Sequence, residues 1–430
     1  IKREVIEKIG LLEESFGSGN YEDDDFCLRA ELAGYKAAIV KDSFIHHFGS
    51  VSFTADGVSN YVEKLSQNSD KFYQKWKDLD KPSLMWSIFL FNKAKEEKEK
   101  GNIDFALELY EKVFLQRPEE KLLIEEYTGL LLETGLVEKA MDKLEKYLEK
   151  QPEDHEGWNF LGTLYLNEGQ VEKAYQAFQK AVQLYDKNLD YFRNLVDVAL
   201  LLDDFETATT GLEYILARIP GDKEASLKMA HLMMEAGETN KAKEFLSFAM
   251  EQNPEDQQLQ FYLKKTSSPM LYLTYAFIEG QRYDLAFEAV EQFLNEHPDD
   301  VEALSLKASI LFYYQQFDEA EKIYGHILEI EPEHPEARYY LMKLYRMVGK
   351  NKELKELLNS VQEGIEKDAP YLQEMIMSLI ELEEFEQALK HIEAYIGKFP
   401  EDYFGYWIMG NLYREMEDTD KALRFYHSAL

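Results

Sequence analysis

The chain has 430 residues, of which 45% are hydrophobic, and carries 82 acidic and 48 basic residues, for a formal net charge of −34. This charge argues against binding nucleic acid or an anionic membrane through general electrostatic attraction. A single cysteine excludes an intramolecular disulfide framework and fits the reducing cytoplasm. The longest apolar run, LMWSIFLF, is far shorter than the roughly 18 residues of a membrane-spanning helix. We therefore expect a cytoplasmic protein with no membrane span and no nucleic-acid partner.

The first eighty residues contain signals for helices and for a strand. A helix is predicted over REVIEKIGLLEE, a glycine-rich loop over FGSGNY, and a second helix over DDDFCLRAELAGY. Gly34 is expected to end this second helix, because glycine readily takes the left-handed conformation found there. KAAIV predicts a strand, and SNYVEKLSQNSDKFYQKWKDL predicts a third helix. The segment DKPS that follows has the composition of a linker.

The segments YEDDDFCLRAELAGYK, FIHHFGSVSF and NSDKFYQKWKD, in this order, resemble the acceptor-side, C-terminal half of a family 2 glycosyltransferase of GT-A fold. The resemblance covers most of residues 1–80 and keeps the order and spacing of the family's motifs. It implies that this segment is a small α/β remnant of such a domain. The nucleotide-binding half, with its Asp-x-Asp motif, is then expected to precede Ile1, and residues 1–430 alone are expected to be inactive.

The resemblance assigns a catalytic role to the acidic run. An inverting glycosyl transfer requires a carboxylate near the acceptor hydroxyl to take its proton. The family pattern places this base at Asp23, with Glu22 orienting the acceptor or supporting Asp23. Asp25 and Arg29 match structural positions. The alternative is an acidic helix start without catalytic function, since a helix N-terminus stabilises negative charge.

The resemblance also implies a nucleotide-sugar donor and a divalent metal, Mn²⁺ or Mg²⁺, in the intact enzyme. His47 matches the family's H-x-G-S loop and is the predicted metal ligand, with His46 as the other register and a structural histidine as the alternative. Imidazole together with carboxylates suits Mn²⁺, whereas Mg²⁺ prefers oxygen ligands. Cys27 is expected to pack within its helix rather than act as a nucleophile, because no base is recognisable beside it.

Beyond the linker, alanine occupies nine of ten positions that are spaced 34 residues apart, with leucine at the remaining one and a single gap of 44 residues between Ala242 and Ala286. The positions are Ala106, Ala140, Ala174, Ala208, Ala242, Ala286, Ala320, Leu354, Ala388 and Ala422. Small side chains are required where two helices cross closely. Proline follows most of these positions by twelve residues and ends each repeat, because it cannot continue a helix. The pattern predicts about ten helix pairs.

The segment HEGWNFLGTLYLNEGQVEKAYQAFQKAVQLY shows one repeat in full. Trp158, Leu161, Gly162 and Tyr165 share one helical face, and Ala174 begins the face of a second helix. This repeat resembles the tetratricopeptide repeat (TPR). The resemblance implies a right-handed solenoid over residues 87–430 that binds polypeptides through the first helix of each pair. Residues 1–80 would then form the glycosyltransferase portion, and residues 81–86 the linker.

An excess of ten residues interrupts the repeat near residues 257–268, within QFYLKKTSSP. A longer helix followed by a loop, or a hinge between two sub-arrays, is expected there. The groove lacks the lysines of a chaperone-tail clamp and has no continuous row of asparagines. The late repeats nevertheless place aromatic and basic residues on the predicted inner face, where packing and solvated charge are the alternative. These residues are Tyr339, Lys343, Arg346, Trp407 and Arg414.

Two functions follow from these observations. The leading hypothesis is the C-terminal portion of a glycosyltransferase that moves a sugar from a nucleotide-sugar to an acceptor such as a protein or peptide, with TPRs that bind the acceptor. The alternative is a non-catalytic TPR scaffold or adaptor, in which residues 1–80 are a degenerate cap. In both, the negative charge of the repeats favours a basic or neutral polypeptide partner.

Overall fold

The structure is a computed structural model that describes residues 1–17, 20–36, 58–360 and 368–430. These residues form two compact units, Ile1–Gly211 and Leu212–Leu430, called here the amino-terminal and carboxy-terminal units. The described residues contain 24 α-helices and no strand, so each unit is an all-helical solenoid of the TPR-like kind. A GT-A α/β remnant is not seen in this part of the chain. The strand predicted over KAAIV lies, from residue 37 onward, outside it.

The amino-terminal unit begins with three helices that precede the repeats. Its helices are α1 (Arg3–Ile9), α2 (Glu22–Leu32), α3 (Val58–Trp76), α4 (Leu84–Glu99), α5 (Ile103–Gln116), α6 (Lys121–Glu133), α7 (Val137–Lys150), α8 (His155–Asn167), α9 (Val171–Leu184) and α10 (Leu189–Leu201). The next helix, α11 (Phe205–Arg218), crosses the division between the units.

The carboxy-terminal unit continues the helical series. Its helices are α12 (Lys223–Glu235), α13 (Thr239–Gln252), α14 (Gln257–Lys265), α15 (Pro269–Glu279), α16 (Tyr283–Glu296), α17 (Val301–Tyr313), α18 (Phe317–Ile330), α19 (Pro335–Val348), α20 (Asn351–Asn359), α21 (Ala369–Glu381), α22 (Phe385–Lys398), α23 (Tyr403–Glu415) and α24 (Thr419–Ala429).

From α4 onward the described helices form ten pairs, as the alanine spacing predicts. The first helices of the pairs are α4, α6, α8, α10, α12, α15, α17, α19, α21 and α23. Helix α14 is additional and lies where the sequence has its ten-residue excess. A first helix starts at Gln257, breaks at Thr266–Ser268, and resumes at Pro269, which is favoured at the first position of a helix.

Aspartates fix where many of the first helices start. The side chains of Asp256 and Asp300 accept hydrogen bonds from backbone N–H groups three residues later, at 3.0 and 2.9 Å. Such a cap satisfies a backbone donor that the helix leaves unpaired. Pro254 and Pro298 lie two residues before these aspartates. Each short Pro-x-Asp segment therefore separates one pair from the next.

Each pair turns at one residue with positive φ, and these residues repeat with the spacing of the alanines. They are Gly101, Gly135, Gly169, Asp203, Gly237, Gln281, Gln315, Gly349, Glu383 and Glu417. Half of them are not glycine, yet they take φ values between 54° and 61°. This left-handed conformation costs a non-glycine residue roughly 1–2 kcal/mol. The geometry of the turn is therefore kept even where the local residue disfavours it.

Close packing within a pair explains the small residues of the repeat. A Cβ atom at Gly162 would lie 2.7 Å from the ring of Phe178, and one at Gly410 would lie 2.6 Å from the ring of Tyr426. Gly162 and Gly410 occupy the same position of two different repeats. Because real Cβ atoms do not approach a ring so closely, glycine at this position lets an aromatic side chain of the second helix fill the space.

The first eighty residues and the first repeats share one hydrophobic core. Phe72 of α3 lies with its ring centroid 4.7 Å from that of Phe89, and Tyr73 stacks on Trp86 at 6.1 Å. Helix α3 therefore covers the apolar face that α4 would otherwise expose. The segment 81–86, predicted as a linker, joins two parts that pack on each other, and the domain boundaries stay a prediction.

Candidate functional site

Asp25, in the first turn of α2, is the centre of a buried ionic cluster. Its side chain is fully buried, and its two oxygens lie 2.7 Å from Arg29 Nε and 2.7 Å from Lys75 Nζ. The indole N–H of Trp76 donates a third hydrogen bond, of 2.8 Å. Arg29 also donates to the backbone carbonyl of Leu11 at 2.9 Å. Asp25 therefore ties α2 to α3 and to the segment after α1, which is a structural role.

The neighbouring acidic residues line what we call the amino-terminal cavity, between α2, α3 and α4. This cavity has a volume of about 340 Å³ and is bordered by Asp23, Asp24 and the buried Lys93. Lys93 Nζ pairs with Asp70 at 2.8 Å. Burial and the negative charges of Asp23 and Glu22 raise the pKa of the Asp24 carboxyl. The carboxylates of the acidic run that face the cavity thus repel one another.

The sequence also singled out the histidine pair His46–His47 and Cys27 in this region. His47, with His46, lies outside the described residues. In the described part of the chain, no three His, Cys, Asp or Glu side chains converge to hold a metal ion. The Cys27 side chain is exposed, so the expectation that it packs within the fold is wrong. Although the side chain is exposed, neighbouring atoms partly desolvate the thiol, and this desolvation, with the charges of Asp23 and Asp24, raises the pKa of Cys27 and disfavours a reactive thiolate.

A second cavity, called here the amide cavity, lies on the first helices of the amino-terminal unit. Its volume is about 550 Å³, and its lining comes from α6, α7, α8 and α10. Phe160 and Tyr191 line it beside Lys121 and Asn159. The side-chain amide of Asn194 donates a 2.9 Å hydrogen bond to the side-chain oxygen, Oδ1, of Asn159. The cavity thus combines aromatic surface with amides and charged groups.

The repeat pattern of the sequence did not predict the Asn159–Asn194 pair. A row of asparagines is expected at one repeat position, 34 residues apart, whereas Asn159 and Asn194 are 35 residues apart. A spacing one residue longer than the repeat places them diagonally on successive first helices. A search for polar pairs spaced at the repeat length plus or minus one residue would have found them.

In the carboxy-terminal unit, Tyr339 lines a third cavity, of about 400 Å³, between α19 and α21. We call it the tyrosine–carboxylate cavity, and its side chains include Glu336, Tyr339, Tyr340, Asp368 and Tyr371. Tyr371 is buried, whereas the two carboxylates are exposed. Glu336 and Asp368 were not predicted for this site, because the residues predicted for the inner face of the late repeats were aromatic and basic ones.

The other residues predicted for this groove lie apart from the cavity. Lys343 Nζ is 5.8 Å from the centroid of the Tyr339 ring. Arg346 donates to both oxygens of Glu374, at 2.8 and 3.3 Å, and this pairing engages its charge within the fold. Trp407 and Arg414 lie on α23, where Trp407 is 42% exposed and Arg414 pairs with Glu415 at 3.0 Å. Their role in partner binding stays a prediction.

Residues 141–260 match the family model of the cytochrome c-type biogenesis protein H TPR domain. This stretch of the chain is a TPR domain. This match and the ten helix pairs agree with the TPR resemblance of the sequence, whereas neither extends to the predicted glycosyltransferase portion. No curated protein sequence matches this chain.

Several solved structures are similar to this chain at low TM-scores. The MamA protein is 19% identical over 40% of this chain and 94% of its own, with a TM-score of 0.35. A tetratricopeptide repeat protein from Parabacteroides merdae ATCC 43184 is 14% identical over 64% and 98%, with a TM-score of 0.37. YrrB, described as a TPR protein with an unusual peptide-binding site, is 17% identical over 53% and 95%, with a TM-score of 0.30.

None of the helices in the described ranges has both the length and the apolar composition of a membrane span. The cytoplasmic location stays a prediction.

Proposed function

We propose that this chain is a TPR scaffold that binds a polypeptide segment on its first helices, with the amide cavity of the amino-terminal unit as a binding site. The TPR domain supports the scaffold hypothesis over the glycosyltransferase hypothesis. The single observation that carries the proposal is the Asn159–Asn194 pair beside this cavity of about 550 Å³.

The chemistry of the amide cavity suits a peptide backbone. A carboxamide offers both a donor and an acceptor, as a peptide bond does, and two paired amides leave further donors and acceptors available. Phe160, which is 38% exposed, and Tyr191 provide apolar surface for a neighbouring side chain. Lys121 pairs with Asp154 at 3.3 Å and with Glu156, and Glu125 also lines the cavity, so the site carries a net negative charge that suits a neutral or basic segment. An extended polypeptide is therefore the ligand class proposed.

Replacing both asparagines tests this proposal. In Asn159→Ala/Asn194→Ala, both members of the hydrogen bond are removed, so no unpaired amide remains and stability is expected to change little. Binding to an array of immobilised synthetic peptides is expected to weaken by about tenfold or more, since about two backbone hydrogen bonds are lost. The measurement is the fluorescence of labelled full chain retained on the array.

Asn167→Ala is the matched control, because Asn167 is exposed at the end of the same helix, α8. This control is expected to bind the array as the unchanged chain does. Equal binding by the double variant and the control, or no peptide retained by the unchanged chain, would contradict the proposal.

A second candidate function is kept for the amino-terminal cavity: the acceptor site of a glycosyltransferase. It is supported by the position of Asp23 at the cavity and by one oxygen of Glu22, which is buried and has no hydrogen-bond partner among the described residues. In this proposal Asp23 takes the proton of the acceptor hydroxyl. A bond forms between the acceptor oxygen and the sugar carbon, and the bond from that carbon to the nucleotide diphosphate breaks.

A divalent metal and a nucleotide-sugar donor belong to this second candidate. The described residues do not provide a set of metal ligands, and the predicted ligand His47 lies outside them. No step is therefore derived through a metal. Asp23 and Glu22 act on the acceptor in this proposal.

The test measures sugar transfer by the protein in its full natural length. Asp23→Asn is expected to slow sugar transfer by about 10²–10⁴, the range for a lost general base, while helical content stays unchanged. Asp78→Asn, which removes the same charge from an exposed position, is the control. Unchanged turnover in Asp23→Asn, or no transfer by the unchanged protein, would remove this candidate.

A further inference from the structure

We infer that the tyrosine–carboxylate cavity of the carboxy-terminal unit binds a lysine or arginine side chain of the polypeptide partner. The inference rests on the proposed function, in that the ligand is a polypeptide, but it concerns a different unit and different residues. It specifies the chemistry of the partner, which must be basic where it meets α19 and α21.

The aromatic walls of this cavity are held in place by their own packing. Tyr340 stacks on Tyr324 with the ring centroids 5.3 Å apart and the planes 8° from parallel, and Phe312 lies 5.1 Å away. Tyr339 meets Tyr340 edge-on at 5.0 Å. A cation is attracted to the face of such a ring. Because the rings are already ordered, little conformational entropy is lost when a ligand binds.

Two carboxylates at this cavity have no basic partner among the described residues. These are Glu336, in the first turn of α19, and Asp368, which caps α21 by accepting a 3.0 Å hydrogen bond from the N–H of Tyr371. Two other carboxylates of the neighbouring helices are already paired, Glu374 of α21 with Arg346 at 2.8 Å and Glu321 of α18 with Lys350. Glu336 and Asp368 are therefore the carboxylates that face this cavity and can pair with a cation that enters it.

The basic residues nearest the cavity are engaged elsewhere. Arg338 is buried and donates to Glu333 at 3.1 Å, to Ser360 Oγ at 3.0 Å and to the carbonyl oxygen of Pro332 at 2.8 Å. Lys343, one turn beyond Tyr339, places its ammonium between the rings of Tyr339 and Phe312, at 5.8 and 5.7 Å. This lysine shows that the ring of Tyr339 already serves as a surface for an ammonium group.

Charge decides between the classes of side chain that fit such a cavity. An acidic side chain would be repelled by Glu336 and Asp368 and by the net charge of −34. An apolar side chain would remove water from two carboxylates without pairing with them, which is unfavourable. A basic side chain pairs with the carboxylates and lies on the tyrosine rings. Arginine is expected to bind more tightly than lysine, because its planar guanidinium stacks on aromatic rings and forms two parallel hydrogen bonds.

The experiment compares synthetic peptides that share one uncharged sequence and differ only in a central arginine, lysine or glutamine. Binding to the full chain is measured by fluorescence anisotropy of the labelled peptide. The arginine peptide is expected to bind about tenfold more tightly than the glutamine peptide, from one ring contact and one or two exposed ion pairs. This preference is expected to decrease as salt is added, because exposed charges are screened.

Variants of the cavity locate the site. Glu336→Gln/Asp368→Asn and, separately, Tyr339→Leu are each expected to remove part of the preference for arginine, and the triple variant is expected to bring it to near unity, while binding of the glutamine peptide stays unaffected. Asparagine at position 368 still caps a helix, so α21 is expected to remain folded. Glu353→Gln, which removes a charge from the exposed side of α20, is the control and is expected to keep the preference.

The outcomes separate this inference from the proposed function. Equal binding of the arginine and glutamine peptides, or an equal effect of Glu353→Gln and of the cavity variants, would overturn the inference. If the glutamine peptide is bound and this binding is lost in Asn159→Ala/Asn194→Ala, the proposed function is supported even where the inference about arginine fails. If arginine is preferred and only the cavity variants abolish the preference, the inference is supported.

Discussion

Replacing Leu354 by alanine is expected to destabilise the carboxy-terminal unit by about 2–5 kcal/mol, the range for deleting a buried leucine side chain. Leu354 takes the position that alanine holds in the other nine helix pairs, and it is fully buried. It belongs to a core cluster with Met342, Tyr371 and Ile376. Its helix, α20, has nine residues, whereas most second helices have fourteen, so the larger side chain provides apolar contact that a longer helix would supply.

Ala320→Leu is the reverse substitution at the equivalent position of the preceding pair. Ala320 is fully buried beside Leu304 and Tyr324, and leucine there is expected to cost about 1–3 kcal/mol through overpacking. Both variants are measured by urea-induced unfolding of the full chain, followed by circular dichroism. A loss of stability in both variants would show that the space available to the side chain at this position differs from one helix pair to the next. A neutral result in both would contradict the close helix crossing.

Asp25→Asn is expected to destabilise the start of the amino-terminal unit by about 3 kcal/mol, as when one member of a buried ionic cluster is removed. The substitution leaves Arg29 and Lys75 without their shared carboxylate. Because Arg29 also binds the segment after α1, the loss is expected to be confined to α1, α2 and α3. Hydrogen exchange of the full chain, resolved by segment, measures this. Unchanged protection of α2 would contradict the structural role of Asp25.

Asp24→Asn is the matched control, at the next residue of the same turn. The pKa of Asp24 is raised in the folded chain by burial and by the charges of Asp23 and Glu22. A carboxyl whose pKa is raised in the folded chain contributes stability at low pH, and this contribution is lost as the pH rises through that pKa. At neutral pH the charge of Asp24 therefore opposes folding. Asp24→Asn is therefore expected to be neutral or slightly stabilising, in contrast to Asp25→Asn.

The ten helix pairs could be predicted from sequence because they depend on local, repeated constraints. A small residue such as Ala174, with Pro152 before its first helix and Gly169 at its turn, defines one pair without information from distant residues. The break between α14 and α15 was less predictable. Thr266–Ser268 suggested a loop, but Pro269 begins a helix as readily as it ends one, so the region remains helical.

The binding sites could be predicted only in part, because they depend on which helices become neighbours. Tyr339 was predicted for a partner groove, and it lines a cavity. Arg346 was predicted with it, yet Glu374 on another helix engages its charge. The family resemblance placed Asp25 and Arg29 at structural positions, and the buried Asp25–Arg29 pair agrees with this prediction. The other partners of Asp25, Lys75 and Trp76, could not be predicted, because they depend on the packing of α3 against α2.

The left-handed residue at the end of each first helix bears on how the repeat array arose. Every 34-residue module closes on the same backbone conformation at the same residue, whether that residue is Gly169 or Gln315. A segment that is inserted or removed between two such turns therefore begins and ends in the same backbone conformation. The array can thus gain or lose whole modules while the turns between helices keep their geometry. The ten extra residues before α15 lie within a first helix and not at a turn, so an exchange of whole modules does not account for them.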